Sequence, residues 1–200
     1  MRIAVLTFEG FNELDSFVAA GLLNRLRVQG WQAQITCPSE QVTSMNGVQV
    51  RAQQPLEYAN QADVVLFGSG IHTRTIAETP SILERLQLDP QRQLIGAQCS
   101  GALLMARLGL LNDLPACTDL TSKPWVMEAG VRVLDQPFHA QGNLATAGGC
   151  LSSPYLAAWV IAKLAGEGAC AEALHYVAPV GEKQVFVERT LAVVRPYLQG

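Results

Sequence analysis

The sequence predicts an α/β fold, a three-layer sandwich in which a mostly parallel sheet carries helices on both faces. Three observations predict it. Strand and helix patterns alternate along the chain, which is the order a parallel sheet with crossover helices requires. The strand-like runs are continuously apolar rather than alternating, as in Asp63-Val64-Val65-Leu66-Phe67, so both sheet faces are expected to be covered. Several of these runs also end in glycine-rich or polar segments, the loops that line ligand sites beyond the carboxyl ends of parallel strands.

Arg2 to Thr7 reads as the first strand and Asp15 to Val28 as an apolar-faced helix stopped by Gly30. Trp31 to Thr36 is the next strand. Met45, Val48 and Val50 around the turn dipeptide Asn46-Gly47 suggest a short hairpin. The run to Phe67 enters Gly68-Ser69-Gly70. A helix follows over Pro80 to Leu86, then a strand over Leu94 to Ala97 and a helix over Ser100 to Leu108 closed by Gly109. Ala116 to Thr118, Val131 to Val133 and Leu144 to Thr146 are shorter strand candidates. Pro154 to Leu164 is a very apolar helix, and Glu182 to Val194 a last one ending near Pro196. No repeat or low-complexity linker divides the chain, so one domain over residues 1–200 is expected.

Composition narrows the classes of function. Hydrophobic residues make up 49% and charged residues 16%, a globular balance without signs of disorder. A formal net charge of -3 gives no electrostatic reason for a nucleic-acid or anionic-membrane partner. No apolar run is long enough to span a bilayer, and Met1-Arg2 leads directly into a strand, so neither an anchor nor a signal peptide is expected. The five cysteines (Cys37, Cys99, Cys117, Cys150 and Cys170) are scattered, with no Cys-x-x-Cys pair and no histidine at zinc-finger spacing. This reads as a cytoplasmic protein with free thiols, needing neither metal nor cofactor.

One cysteine stands apart. In Ala97-Gln98-Cys99-Ser100-Gly101 a thiol sits where a buried strand turns sharply into a helix, flanked by the small residues such a corner demands. A helix beginning at Ser100 aims N–H groups and the positive end of its dipole at the sulfur. That is expected to favour thiolate and to supply donors for an oxyanion. A packing role is the alternative for Cys99, since free cysteine is often buried, and is favoured for the other four. Cys150 is the least settled of those, because it follows Gly148-Gly149 at another strand end. In "TFEGFNELDSF", Glu13 reads as a local or solvent-facing group. Asp15 reads equally as a helix cap or as an enclosed carboxyl that, when protonated, donates a hydrogen bond to the sulfur and acts as a general acid.

Four stretches carry a resemblance: "VLTFEGFNELD", "DVVLFGSG", "IGAQCSGALLMARLGLL" and "GNLATAGGCLSSPYLAAWVIAKLAG". Together, in this order, they resemble the ThiJ/PfpI superfamily over nearly the whole chain. The resemblance implies a flavodoxin-like sheet of the class I glutamine amidotransferase type with a nucleophile elbow. It implies a cysteine nucleophile at Cys99, an acidic partner at Asp15 and an oxyanion pocket near Gly70 and Ser100. Within the superfamily the region around Cys99 is most similar to isocyanide hydratases, which share the Asp and a hydroxyl residue after the cysteine. The implied activity is hydration or hydrolysis of a small-molecule substrate by a homodimeric enzyme. A non-enzymatic sensor with an oxidisable cysteine, or a deglycase or glyoxalase, are the alternatives. Asp119 stands where many members carry His, and Gly68-Ser69-Gly70 where many read Pro-Gly-Gly. His72 and Arg74 are candidates for substrate contacts in the altered loop, Arg74 equally for pairing with Glu78. Neither His139 nor His175 has a Glu two residues later, so glutamine hydrolysis is not expected.

Overall fold

A computed structural model describes residues 1–199. The elements are β1 (Arg2–Leu6), α1 (Glu13–Leu23), β2 (Gln32–Cys37), the hairpin strands β3 (Gln41–Thr43) and β4 (Gln49–Arg51), β5 (Gln54–Pro55), β6 (Val64–Phe67), α2 (Thr73–Ala77), α3 (Pro80–Leu83), β7 (Leu94–Gln98), α4 (Gly101–Arg107), α5 (Lys123–Glu128), β8 (Phe138–Gln141), β9 (Leu144–Ala147), α6 (Ser153–Val177) and α7 (Lys183–Val194). Seven strands form one sheet in the order β5-β2-β1-β6-β7-β9-β8. Every pairing in it is parallel except β8 against β9. The expected flavodoxin-like sandwich is therefore the fold observed.

The continuous apolar runs are explained by two cores. Ile3 and Val5 of β1 point into a core shared with α1, α6 and α7, while Ala4 and Leu6 point into the opposite core with α2, α4 and α5. Because successive side chains alternate faces, a strand covered on both sides must be apolar throughout. Burying each large aliphatic side chain stabilises the fold by about 1.5–3 kcal/mol, and Ile3, Leu6, Leu66 and Ile95 are among those almost wholly buried.

Several elements differ from the sequence reading. The first helix begins two residues earlier than expected, because Asn12 rather than an acid caps it; the Asn12 side chain accepts from the Leu14 N–H at 3.0 Å. It tightens after Leu23 into a 3-10 segment over Asn24–Gln29 and stops at Gly30. The segments 116–118 and 131–133 are not strands; they meet in a single bridge between Ala116 and Val133. The strand β8 and the short helices α2 and α5 were not foreseen. The apolar helix begun near Pro154 resumes beyond Gly166, whose backbone (φ 86°, ψ 162°) breaks the helical path, and runs on to Val177. No helix among the described residues is long and apolar enough to cross a membrane.

Candidate active site

Cys99 is the first residue beyond β7. Its φ of 47° lies in the left-handed region, where a residue with a Cβ is strained by about 1–3 kcal/mol. The neighbouring chain holds it there. The Cys99 N–H donates to the Ala147 carbonyl and the Thr118 hydroxyl donates to the Cys99 carbonyl, each at 2.8 Å. Gly101 is required two residues later because a Cβ there would lie 2.8 Å from both the Phe67 and Gly68 carbonyl oxygens. The helix α4 thus packs directly on the end of β6, and the cysteine is left at the floor of a cleft of about 460 Å³.

Asp15, in the first turn of α1, does not line the cleft but lies beneath this floor. It is 2% exposed and Cys99 is 3% exposed. A carboxylate oxygen of Asp15 and the sulfurs of Cys99 and Cys150 all lie within 4.8 Å of one another. The Ser69 hydroxyl donates a short hydrogen bond to Asp15 Oδ2, whereas Oδ1 is buried without a hydrogen-bond partner. This settles the two readings of Asp15 in favour of an enclosed carboxyl, since the cap is Asn12. Glu13 has the local role expected of it, accepting from Ser44 Oγ at 2.5 Å and Asn46 Nδ2 at 2.9 Å across to the hairpin turn.

The electrostatics correct one expectation. Burial holds the Asp15 carboxyl above the usual carboxylate range, against the hydrogen bond from Ser69. Burial also pushes the Cys99 thiol up, and charge on Asp15 pushes it further. The thiol lowered by a helix terminus, expected from the sequence, is therefore not what the site provides. The seven-residue α4 offers a short dipole, and the sulfur is dry and faces an acid. Three other cysteines are inert by the same physics, with burial raising Cys37, Cys117 and Cys170 to about 12.

The remaining candidates separate. Gly70 and Ser100 line the cleft, and the Gly70 N–H donates to Ser100 Oγ at 3.2 Å. Ser100 Oγ also pairs with the Thr73 hydroxyl at 2.8 Å. Asp119 lines the cleft as well, but its Oδ1 accepts from the N–H groups of Thr121 and Ser122 at 2.9 and 3.0 Å, organising the turn into α5. His72 lies outside: it is exposed, its ring beside the Gly10 backbone, and does not line the cleft. Arg74 is also exposed and pairs with Glu128 at 3.5 Å and Glu78 at 3.9 Å. Ser69 and Trp125 are cleft residues to which the sequence assigns no role, and Cys150, for which packing is the favoured reading, also lines the cleft. Asp15, Cys99 and Cys150 form the one group among the described residues with metal-ligand spacing; two soft sulfurs and a carboxylate suit an ion such as zinc.

A thiol at a strained strand-to-helix corner, facing a buried carboxyl above the carboxyl edge of a parallel sheet, defines a nucleophile-elbow protein of the α/β-sandwich class. The chain belongs to the DJ-1/PfpI family, whose model matches residues 1–163. A comparison with curated proteins found no match. Among solved structures, a DJ-1 superfamily protein of Salmonella typhimurium is 23% identical, with 90% of this chain and 100% of that one covered at a TM-score of 0.76. Schizosaccharomyces pombe DJ-1 is 16% identical over 90% and 100% of the two chains, TM-score 0.74. Toxoplasma gondii DJ-1, solved oxidized, is 18% identical over 88% and 96%, TM-score 0.71.

Proposed function

We propose that the protein is a cysteine-dependent enzyme that adds water to a small electrophilic carbon, with isocyanides as the substrate class, in the cytoplasm. The observation that carries this reading is the buried Asp15 carboxyl beside the Cys99 sulfur, with one oxygen unpartnered. An isocyanide needs a nucleophile and a proton delivered to the same carbon, and this pair supplies both. The thiol proton passes to Asp15 as sulfur attacks, forming the S–C bond. Asp15 then gives that proton to the carbon, leaving a thioimidate. Water adds to its carbon, its protons going to Asp15 and to the substrate nitrogen. The C–S bond breaks to release an N-substituted formamide, and sulfur recovers its proton from Asp15. Trp125, Ile71 and Met45 give the cleft apolar walls suited to a small hydrocarbon substituent.

The test is a screen of alkyl and aryl isocyanides, with glyoxal and methylglyoxal alongside for the deglycase or glyoxalase alternative, against wild type and Cys99→Ser. Formamide production lost in the variant supports the reading. Turnover of glyoxals alone, or isocyanide turnover that survives Cys99→Ser, overturns it. A second reading, a sensor whose cysteine is oxidised, is favoured by the oxidized state of the Toxoplasma relative; thiol modification without turnover of any compound would select it.

A further inference from the structure

We propose that Cys150 is a resolving thiol for Cys99: oxidation of Cys99 by a hydroperoxide is captured as a Cys99–Cys150 disulfide, making the site reversibly redox-switched. The proposal rests on Cys99 being the reactive thiol, as in the function argued above, but not on isocyanides being the substrate.

Three observations place the two sulfurs together. The strands β7 and β9 are in register with Gln98 opposite Ala147, so Cys99 lies one residue and Cys150 three residues beyond one paired position. The sulfurs lie within 4.8 Å of each other. Cys150 is only partly buried at the start of a 3-10 turn that follows Gly148-Gly149, and its sulfur is held by a hydrogen bond from Asn12 Nδ2 at 3.1 Å. A disulfide needs the sulfurs at about 2 Å, so the partly buried Cys150 side chain must leave its hydrogen bond from Asn12 and turn toward Cys99. The third member of the cluster serves the chemistry: Asp15, 2% exposed, has its Oδ1 unpartnered.

The electrons balance in two steps. The Cys99 thiol gives its proton to Asp15 as its sulfur attacks the distal oxygen of a hydroperoxide, forming an S–O bond and breaking O–O, and the departing alkoxide or hydroxide takes that proton from Asp15. The sulfur is oxidised to sulfenic acid and the peroxide reduced to an alcohol or water. The Cys150 thiol then gives its proton to Asp15 as its sulfur attacks the sulfenic sulfur. The S–S bond forms, S–O breaks, and hydroxide takes the proton back to leave as water. Two equivalents of an external thiol restore both cysteines by exchange. Cys37, Cys117 and Cys170 are buried and are not members of this cluster, which makes them internal controls.

Stoichiometric hydrogen peroxide should lower the free thiols of the denatured wild-type protein from five to three, with a mass loss of about 2 Da. A peptide linking Cys99 to Cys150 should appear, and dithiothreitol should reverse all three changes. Cys150→Ala should instead lose one thiol and gain about 16 Da as sulfenic acid on Cys99, rising to about 32 Da as sulfinic acid with a second equivalent of peroxide. Wild type that accumulates sulfinic acid without the cross-link, or that joins Cys99 to another cysteine or another chain, overturns the proposal. Those outcomes leave the isocyanide assay on reduced protein untouched, so failure of the switch and failure of the proposed activity are read separately.

Discussion

Asp15→Asn should move activity and stability in opposite directions. The wild-type carboxyl is held above its ordinary range by burial. A group raised in this way contributes stability that is fully present below the unfolded-state value and is lost as pH rises through the folded-state value. Ionised Asp15 therefore weakens the fold, and its Oδ1 has no hydrogen-bond partner. A buried unsatisfied acceptor costs about 1–3 kcal/mol. Asn retains an oxygen for the Ser69 hydroxyl and places an N–H donor toward the sulfurs, so the variant should equal or exceed wild type in urea unfolding at pH 7, by up to about 1–3 kcal/mol. Removing the charge also removes the second cause that raises the Cys99 thiol, so iodoacetamide should label Cys99 faster at pH 7 than in wild type. Turnover, which needs the transferable proton, should fall by about 10²–10⁴-fold. A variant with wild-type turnover would refute the role of Asp15 as proton carrier. A variant destabilised by more than about 1 kcal/mol would refute the electrostatic argument.

Gly101→Ala should destabilise the fold by about 1–3 kcal/mol despite the better helix propensity of Ala, because the added Cβ would lie 2.8 Å from two backbone carbonyls; urea unfolding measures it. Cys99→Gly should be more stable than Cys99→Ala by about 1 kcal/mol, since only Gly accepts a φ of 47° without strain; thermal unfolding of the two variants compares them directly. We also propose that the chain pairs into a homodimer, to be checked by light scattering across a wide concentration range, where a monomer mass throughout would refute it.

The elbow was legible because everything that makes it is local. An apolar run, a thiol and a glycine within a few residues announce a buried strand turning sharply into a helix, and β7, Cys99 and α4 follow in that order. The parallel sheet was legible for the same reason, since burial on both faces leaves an unbroken apolar run. Elements that depend on distant partners were not. In β8, Phe138-His139-Ala140-Gln141 alternates weakly and is a strand only because β9 pairs with it antiparallel. The expected strands at 116–118 and 131–133 are short runs joined by one isolated bridge, Ala116 to Val133, rather than by a ladder. Cys150 is the instructive case. Its sequence neighbours identify a strand end, but its nearness to Cys99 arises from the sheet order, which sets β9 beside β7 with the whole of α4 and α5 between them in the chain.

That sheet order also bears on how the proposed nucleophile would form. It gathers three acids, Asp15, Cys99 and Cys150, at one floor. Among the described residues the ion pairs join Arg74 to Glu78 and Glu128, Arg85 to Glu57, and Arg195 to Glu167, and none brings a cation to this floor. Two negative charges this close in a dry site repel strongly. Burial raises both groups and charge on Asp15 raises the Cys99 thiol further, so a second negative charge on this floor is disfavoured. Releasing a second proton to solvent is the costly route to a thiolate. Passing the thiol proton to Asp15 is the cheap one, because the charge only changes place. Ser69 holds Oδ2 by a short bond and Oδ1 has no partner, so in the proposed mechanism Oδ1 is the oxygen free to take the proton. A catalytic cysteine here needs no lowered thiol pKa, only a neighbour that takes its proton and is still in reach when the substrate carbon needs it.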